Sequence, residues 1–339
     1  MRAVVCRELG GPRSLVVEER PSPPLGPGEV RLALGAAGVN FPDLLMTRGL
    51  YQMRPELPFV LGLEGAGEVV ECAPDVAGWR PGMRAIVRLR PGTFAEEVVA
   101  PAWRLFPAPV NFDDAEAAAF SVGHRTAWHA LVERGRLRPG EVLLVHGAAG
   151  GVGLAAVELG ARLGARVIAT AGDAAKLEAV RAKGAAETVD HRTSDFREAV
   201  LELTGGKGAD VVYDSVGGEV FKQSLRCIAW GGRLLTVGFA SGSIPTAAAN
   251  YLLLKGASLV GVRVGEHGRR HPEAERRTLE MLCRMAEAGE LSPHISHRLP
   301  LAQAAEALEL LERRQVIGKA VLCMPWAPAD SGCSAAPSQ

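Results

Sequence analysis

The run VHGAAGGVG at residues 145–153 constrains the fold of this chain more than any other feature. It follows an apolar stretch, Val142–His146, and opens a segment with apolar residues on one face, Leu154–Leu163. A glycine-rich turn between a strand and a helix exposes backbone N–H groups at the positive end of the helix dipole. As A-x-G-x-x-G, the run places Ala148, Gly150 and Gly153 at the fingerprint positions, with Ala148 where the first glycine usually stands. Gly150 lets the backbone approach a pyrophosphate, Gly153 lets the helix pack closely, and Gly151 and Val152 supply the backbone between them. A bare G-x-x-G is a common turn. The strand–loop–helix context is what points to a dinucleotide.

The surrounding sequence repeats the same alternation. Strand candidates at Arg166–Thr170, Thr188–Asp190, Asp210–Tyr213, Arg233–Val237 and Leu259–Val262 are joined by helical patterns such as Ala174–Lys183. With Val142–His146 these make six strands, which predicts an α/β fold with a doubly wound parallel sheet, the Rossmann arrangement. NAD sites usually carry an acidic residue at the end of the second strand. Here Ala171 falls at that place and Gly172 follows, so a 2′-phosphate meets no carboxylate and NADPH is expected. Lys176, Arg192 and Arg314 are candidate counter-charges. Asp173 either caps the next helix or grips a ribose, and the cap is favoured.

The first third of the chain reads differently. Short strands, Ala3–Cys6, Leu15–Glu18, Val30–Ala37 and Ala66–Cys72, are punctuated by Gly and Pro, as in a β-barrel-like domain. Helical patterns follow at 113–122 and 124–134. Two more, at 277–289 and 301–314, precede a strand at 316–324 that is expected to return to the first domain.

Composition narrows the partners. Lys+Arg and Asp+Glu both number 38, so no charge excess favours nucleic acid or an anionic membrane. No run approaches membrane-spanning length, and the N-terminus lacks the apolar core of a signal peptide. Six scattered cysteines without a C-x-x-C pair argue against a disulfide framework or a cysteine zinc site and fit a reducing, cytoplasmic setting.

Several further motifs stand in order: AAGVNFPDLLMTRGLY (36–51), GLEGAGEVVE (62–71), DVVYDSVGG (210–218), GGRLLTVGFASG (231–242) and VIGKAVL (316–322). With the glycine loop, they make the chain resemble the medium-chain dehydrogenase/reductase superfamily, and within it the zinc-free, zeta-crystallin-like quinone oxidoreductases. The resemblance implies a GroES-like domain at 1–121 completed by 263–325, a Rossmann domain at 122–262, a disordered tail at 326–339, and a homodimer. Zinc-dependent relatives supply Cys, His and Cys to a catalytic metal. The matching positions here are Asn40, Leu63 and Val122, so no metal is expected; Glu64 alone does not hold zinc.

The resemblance also implies site residues. Asn40, Asp43 and Tyr51 line the substrate side, and Thr126 lies near the nicotinamide. Phe239, Ser241 and Asn250 belong to the nicotinamide end, and Lys176, His191 and Arg314 to the adenosine phosphate. Each has a structural alternative. Asn40 suits a loop hydrogen bond, Asp43 a helix cap, Tyr51 a packed aromatic, and His124 and His129 buried structural roles. The implied activity is zinc-independent, NADPH-dependent reduction of quinones or related α,β-unsaturated carbonyls. The alternatives are a 2-alkenal or enoyl reductase, and a nucleotide-binding scaffold of crystallin type.

Overall fold

A computed structural model describes residues 1–324. The tail expected at 326–339 lies outside the described residues. The chain divides into two units: residues 1–122 with the described residues from 277 onward, and residues 123–276.

The second unit is built on a six-stranded parallel sheet. In spatial order its strands are Glu187–Asp190, Arg166–Ala171, Val142–Val145, Ala209–Asp214, Ile228–Thr236 and Ser258–Gly261. Val142–Val145 is central and wholly aliphatic (VLLV), because a strand covered on both faces has no solvent side to make polar. Helices Gly151–Arg162, Ala174–Ala182, Phe196–Leu203 and Gly218–Arg226 link successive strands. The strand order reverses direction between Val142–Val145 and Ala209–Asp214. In open α/β sheets such a switch point leaves a crevice beyond the strand C-termini for a ligand.

Two helices expected at 113–122 and 124–134 are one helix, Asp114–Trp128, which continues into a π-helical turn at His129–Arg134. Gly123 does not stop it. A Cβ at Gly123 would lie 3.1 Å from the Gly151 carbonyl oxygen, so this glycine serves close packing rather than termination.

The first unit is β-rich. Glu29–Gly38 forms its axis, pairing antiparallel with Glu64–Cys72, Glu97–Pro101 and Lys319–Cys323. The last of these brings the end of the described chain back to its beginning. Arg2–Cys6 pairs antiparallel with Leu15–Glu19 and Phe59–Val60 in a second, three-stranded sheet. Leu32, Leu34, Val69, Val87 and Leu322 fill the core between these strands. Four cysteines, Cys6, Cys72, Cys227 and Cys283, are free thiols. Among the described residues no helix is long and apolar enough to cross a membrane.

Candidate active site

The glycine loop leaves the central strand at His146 and turns at Gly147, whose φ of 61° lies in the left-handed region. Gly150 N–H donates to the Gly147 carbonyl at 3.0 Å, and Gly150 is the N-cap of helix Gly151–Arg162. The two later glycines differ in purpose. A Cβ at Gly153 would collide with the Gly147 carbonyl oxygen and lie 2.8 Å from Ala148 Cα, so that position locks the helix onto the loop. A Cβ at Gly150 would meet only the Gly147 oxygen, at 3.4 Å, so the backbone there is bare on its outer side. Ala148 is fully buried, and its N–H reaches the Thr170 carbonyl at 3.3 Å. Below the loop, His146 is buried between Thr170 Oγ1 (3.0 Å) and Ser224 Oγ (2.9 Å). Burial drives its pKa down to about 3, so it is a neutral hydrogen-bonding post.

Across the switch point, the segment after Ala209–Asp214 closes on the same loop. Ser215 Oγ donates to the His146 carbonyl at 3.2 Å. Asp214 accepts the N–H groups of Val216 (2.8 Å) and Gly217 (2.9 Å), folding that segment into a tight turn. Phe239 and Ser241 are laid against it: Ser241 N–H donates to the Val216 carbonyl at 2.9 Å, and a Cβ on Gly217 would lie 2.9 Å from Phe239 Cδ1. Thus Ala148, Gly150, Gly151, Val152, Gly153, Phe239 and Ser241 gather around one end of the sheet. Asn250 lies in helix Ala249–Lys255 and is exposed.

At the end of the second strand, Ala171 is buried and Gly172 faces His191; a Cβ on Gly172 would lie 3.1 Å from His191 Nε2. Asp173 caps helix Ala174–Ala182 by accepting Lys176 N–H at 2.9 Å, and its carboxylate also pairs with Lys176 Nζ at 2.9 Å. These contacts with Lys176 hold the Asp173 pKa low. Arg192 pairs with Asp190 at 3.1 Å. Arg314 belongs to the first unit, just past helix Ala304–Glu312, with a left-handed φ of 58°.

In the first unit, Asn40 and Asp43 are drawn into a buried polar cluster. Asn40 is the N-cap of helix Phe41–Met46, and Asp43, fully buried, accepts the Asn40 N–H at 2.8 Å. Burial pushes the Asp43 carboxyl up to about 7, against the opposing pull of the Asn40 N–H and the Lys319 charge. Asn40 Nδ2 donates to Glu64 Oε1 at 3.1 Å, and Lys319 Nζ bridges Asn40 Oδ1 (2.6 Å) and Glu64 Oε1 (2.8 Å). Glu64 Oε2 accepts the Ser121 hydroxyl and the Val122 N–H, both at 2.7 Å. Burial works to raise the Glu64 pKa, but Lys319, Val122 and Ser121 outweigh it and hold it below the usual carboxylate range. Gly38 makes room for this carboxylate, since a Cβ there would lie 2.8 Å from Glu64 Oε1.

Tyr51 is half-buried against the first unit's core, and Thr126 is buried in helix Asp114–Trp128 on the second unit. His124 and His129 are both buried against carboxylates, Glu158 (3.0 Å) and Glu133. Lys319, Ser121 and the turn Ser215–Gly218 were given no site role from sequence, although DVVYDSVGG and VIGKAVL carry part of the resemblance. The signal for Lys319 was a lone cation in the otherwise apolar strand KAVLC, and the signal for the turn was the glycine pair in DSVGG.

Residues 26–110 match the alcohol dehydrogenase GroES-like domain family, and residues 151–282 match the zinc-binding dehydrogenase family. The chain is 42% identical over 325 residues to a quinone oxidoreductase-like protein 2 homolog of Nematostella vectensis, covering 95% of this chain and 88% of that one. It is 35% identical over 326 residues to a 2-haloacrylate reductase of Burkholderia, covering 94% and 98%. The fold superposes on an Escherichia coli quinone oxidoreductase complexed with NADPH with a TM-score of 0.87 at 28% identity, covering 95% and 100%. A parallel sheet with a bare glycine turn and a β-rich unit with a buried polar cluster define a nucleotide-dependent oxidoreductase. The chain belongs to the medium-chain dehydrogenase/reductase superfamily and, within it, to the quinone oxidoreductase family.

Proposed function

We propose that this protein is an NADPH-dependent, zinc-independent reductase of quinones and related α,β-unsaturated carbonyls. The observation that carries the reading is the bare glycine loop at a helix N-terminus of the second unit; the first unit, taken by itself, holds a polar cluster filled by Lys319 rather than by metal ligands. The loop suits a dinucleotide. Gly150 is open on the side a pyrophosphate approaches, at a helix N-terminus. Two observations support the 2′-phosphorylated cofactor. No carboxylate ends the second strand, and Asp173 is turned back to its own helix and to Lys176. Lys176, His191 and Arg192 flank that strand end as candidate phosphate contacts. NADPH supplies a hydride when bound; the protein's work is to position and polarise.

A catalytic zinc does not fit the cluster. Leu63 and Val122 offer no side-chain donor, and Glu64 is already committed to the Lys319 ammonium, the Ser121 hydroxyl and the Val122 N–H. Asn40 is held by Glu64 and Lys319, and Tyr51 offers a hydroxyl to polarise an acceptor oxygen. Reduction of an electron-poor carbonyl needs such hydrogen bonds and no metal, unlike alkoxide formation from an alcohol. The likeness to a 2-haloacrylate reductase favours a second reading, an enone or acrylate as acceptor, over a scaffold without turnover.

We read the protein as a cytoplasmic homodimer. Ser258–Gly261 is an edge strand with Leu259 exposed, and Trp230, Leu253 and Leu254 are exposed nearby in sequence and sheet. Turnover of NADPH against a panel of quinones, 2-alkenals and 2-haloacrylates tests the reading. Oxidation of NADPH by quinones or enones in chelator-treated protein supports it. Failure of every acceptor with intact NADPH affinity leaves only the scaffold.

A further inference from the structure

We propose that His129, Glu133 and His267 form a binding site for one divalent transition-metal ion of the zinc class. The site lies wholly in the second unit and shares no residue with the glycine loop or the Lys319 cluster.

The local backbone creates it. At His129–Arg134 the chain adopts a π-helical turn, in which Gly135 N–H donates to the Ala130 carbonyl at 2.7 Å, five residues back. Such a π-helical turn recurs at functional sites. Here it sets His129 Nδ1 against Glu133 Oε2. Helix Val264–Arg270 then brings His267, whose Nε2 lies 3.3 Å from the same Glu133 oxygen. The His129 and His267 rings are 4.5 Å apart, centroid to centroid. One ligand atom from each of the three side chains falls within 4.8 Å of the others.

An ion sets a definite spacing. Ligand atoms about 2.0–2.2 Å from a tetrahedral zinc lie about 3.3 Å from one another. His267 and Glu133 already have this separation; His129 Nδ1 lies closer to the Glu133 oxygen and has to draw back to admit an ion. The carboxylate is steadied from behind: Arg125, fully buried, reaches Glu133 Oε1 at 3.2 Å, lies 3.5 Å from Oε2 through Nη2, and pairs with Glu275 at 2.8 Å. An outer partner of this kind fixes a ligand's orientation. Two imidazoles and a carboxylate select zinc, cobalt and their neighbours over magnesium or calcium, with water at the remaining position. The ion would tie the start of the second unit to its end, bridging residues far apart in sequence.

The test uses the full-length protein, stripped with a chelator and titrated with Co2+ while visible absorption is followed, with Zn2+ added as competitor. The expected result is a band that saturates at one Co2+ per chain and is displaced by Zn2+. Zn2+ should also raise the melting temperature by a few degrees, about 2–5 °C. His267→Ala, on a half-exposed helix, and Glu133→Gln should each weaken Co2+ binding at least about tenfold, and His297→Ala should leave it unchanged. If Glu133→Gln fails to fold, His267→Ala decides alone. A titration with no saturable band, or one that persists at full strength in His267→Ala, would overturn the proposal.

Discussion

Lys319 Nζ and Glu64 Oε1 lie 2.8 Å apart with both side chains almost wholly removed from solvent. The ammonium sits where the cluster's acceptors converge, shared between the carboxylate and Asn40 Oδ1. An ion pair so placed gives up hydration on both charges, and its worth depends on remaining whole.

Glu64→Gln or Lys319→Met should therefore each destabilise the first unit by about 3–5 kcal/mol, because each leaves one buried charge unpaired. The double variant should be less damaged than the sum of the two. Urea unfolding of the four proteins measures the coupling. Additive losses would show that the pair is not a unit.

The Asp43 carboxyl gives a pH signature. Its folded value of about 7 exceeds the ordinary 3.8. Between these values the folded chain binds more protons than the unfolded one, so this group's contribution is full below about pH 4 and is lost as pH rises through about 7. Asp43→Asn keeps an acceptor for the Asn40 N–H and cannot ionise. Its stability relative to the native protein should rise by up to about 4 kcal/mol between pH 4 and pH 8. A flat difference across that range would refute the assignment.

The two loop glycines should respond differently. Gly150→Ala meets no collision and should fold within about 1 kcal/mol of the native protein, yet bind NADPH about tenfold more weakly. Gly153→Ala should lose both stability and binding, since its Cβ runs into Gly147 and Ala148. Thermal melts with and without NADPH separate the two effects.

Lys176→Ala should weaken NADPH about tenfold and leave NADH nearly unchanged, because only the former carries a 2′-phosphate. Asp173 would still cap its helix through the backbone N–H. Equal losses for both nucleotides would point to a structural role for Lys176.

The parallel sheet was legible because its central strand is buried on both faces and writes that burial as an unbroken aliphatic run, VLLV, closed by glycines. The glycine loop was legible for the same reason: its conformations leave few residues to choose from. The helix through Gly123 was not, because glycine that ends a helix and glycine that lets two backbones meet look alike in one sequence. Asn40 and Asp43 could be singled out, yet the partner that organises them could not. Lys319 follows Asn40 by 279 positions, and only the pairing of Lys319–Cys323 with Glu29–Gly38 brings them together. The His129–Glu133–His267 group has the same origin, in a π turn and a distant helix.

We propose a metal-independent NADPH reductase, on the bare glycine loop of the second unit and the lysine-filled polar cluster of the first. The most direct test is single-turnover oxidation of bound NADPH by a quinone, in protein exhaustively stripped of metal. Full oxidation is expected at a rate within about twofold of untreated protein, a difference under about 0.5 kcal/mol in activation free energy. Loss of turnover on stripping that Zn2+ restores, or no binding of NADPH at all, would contradict it.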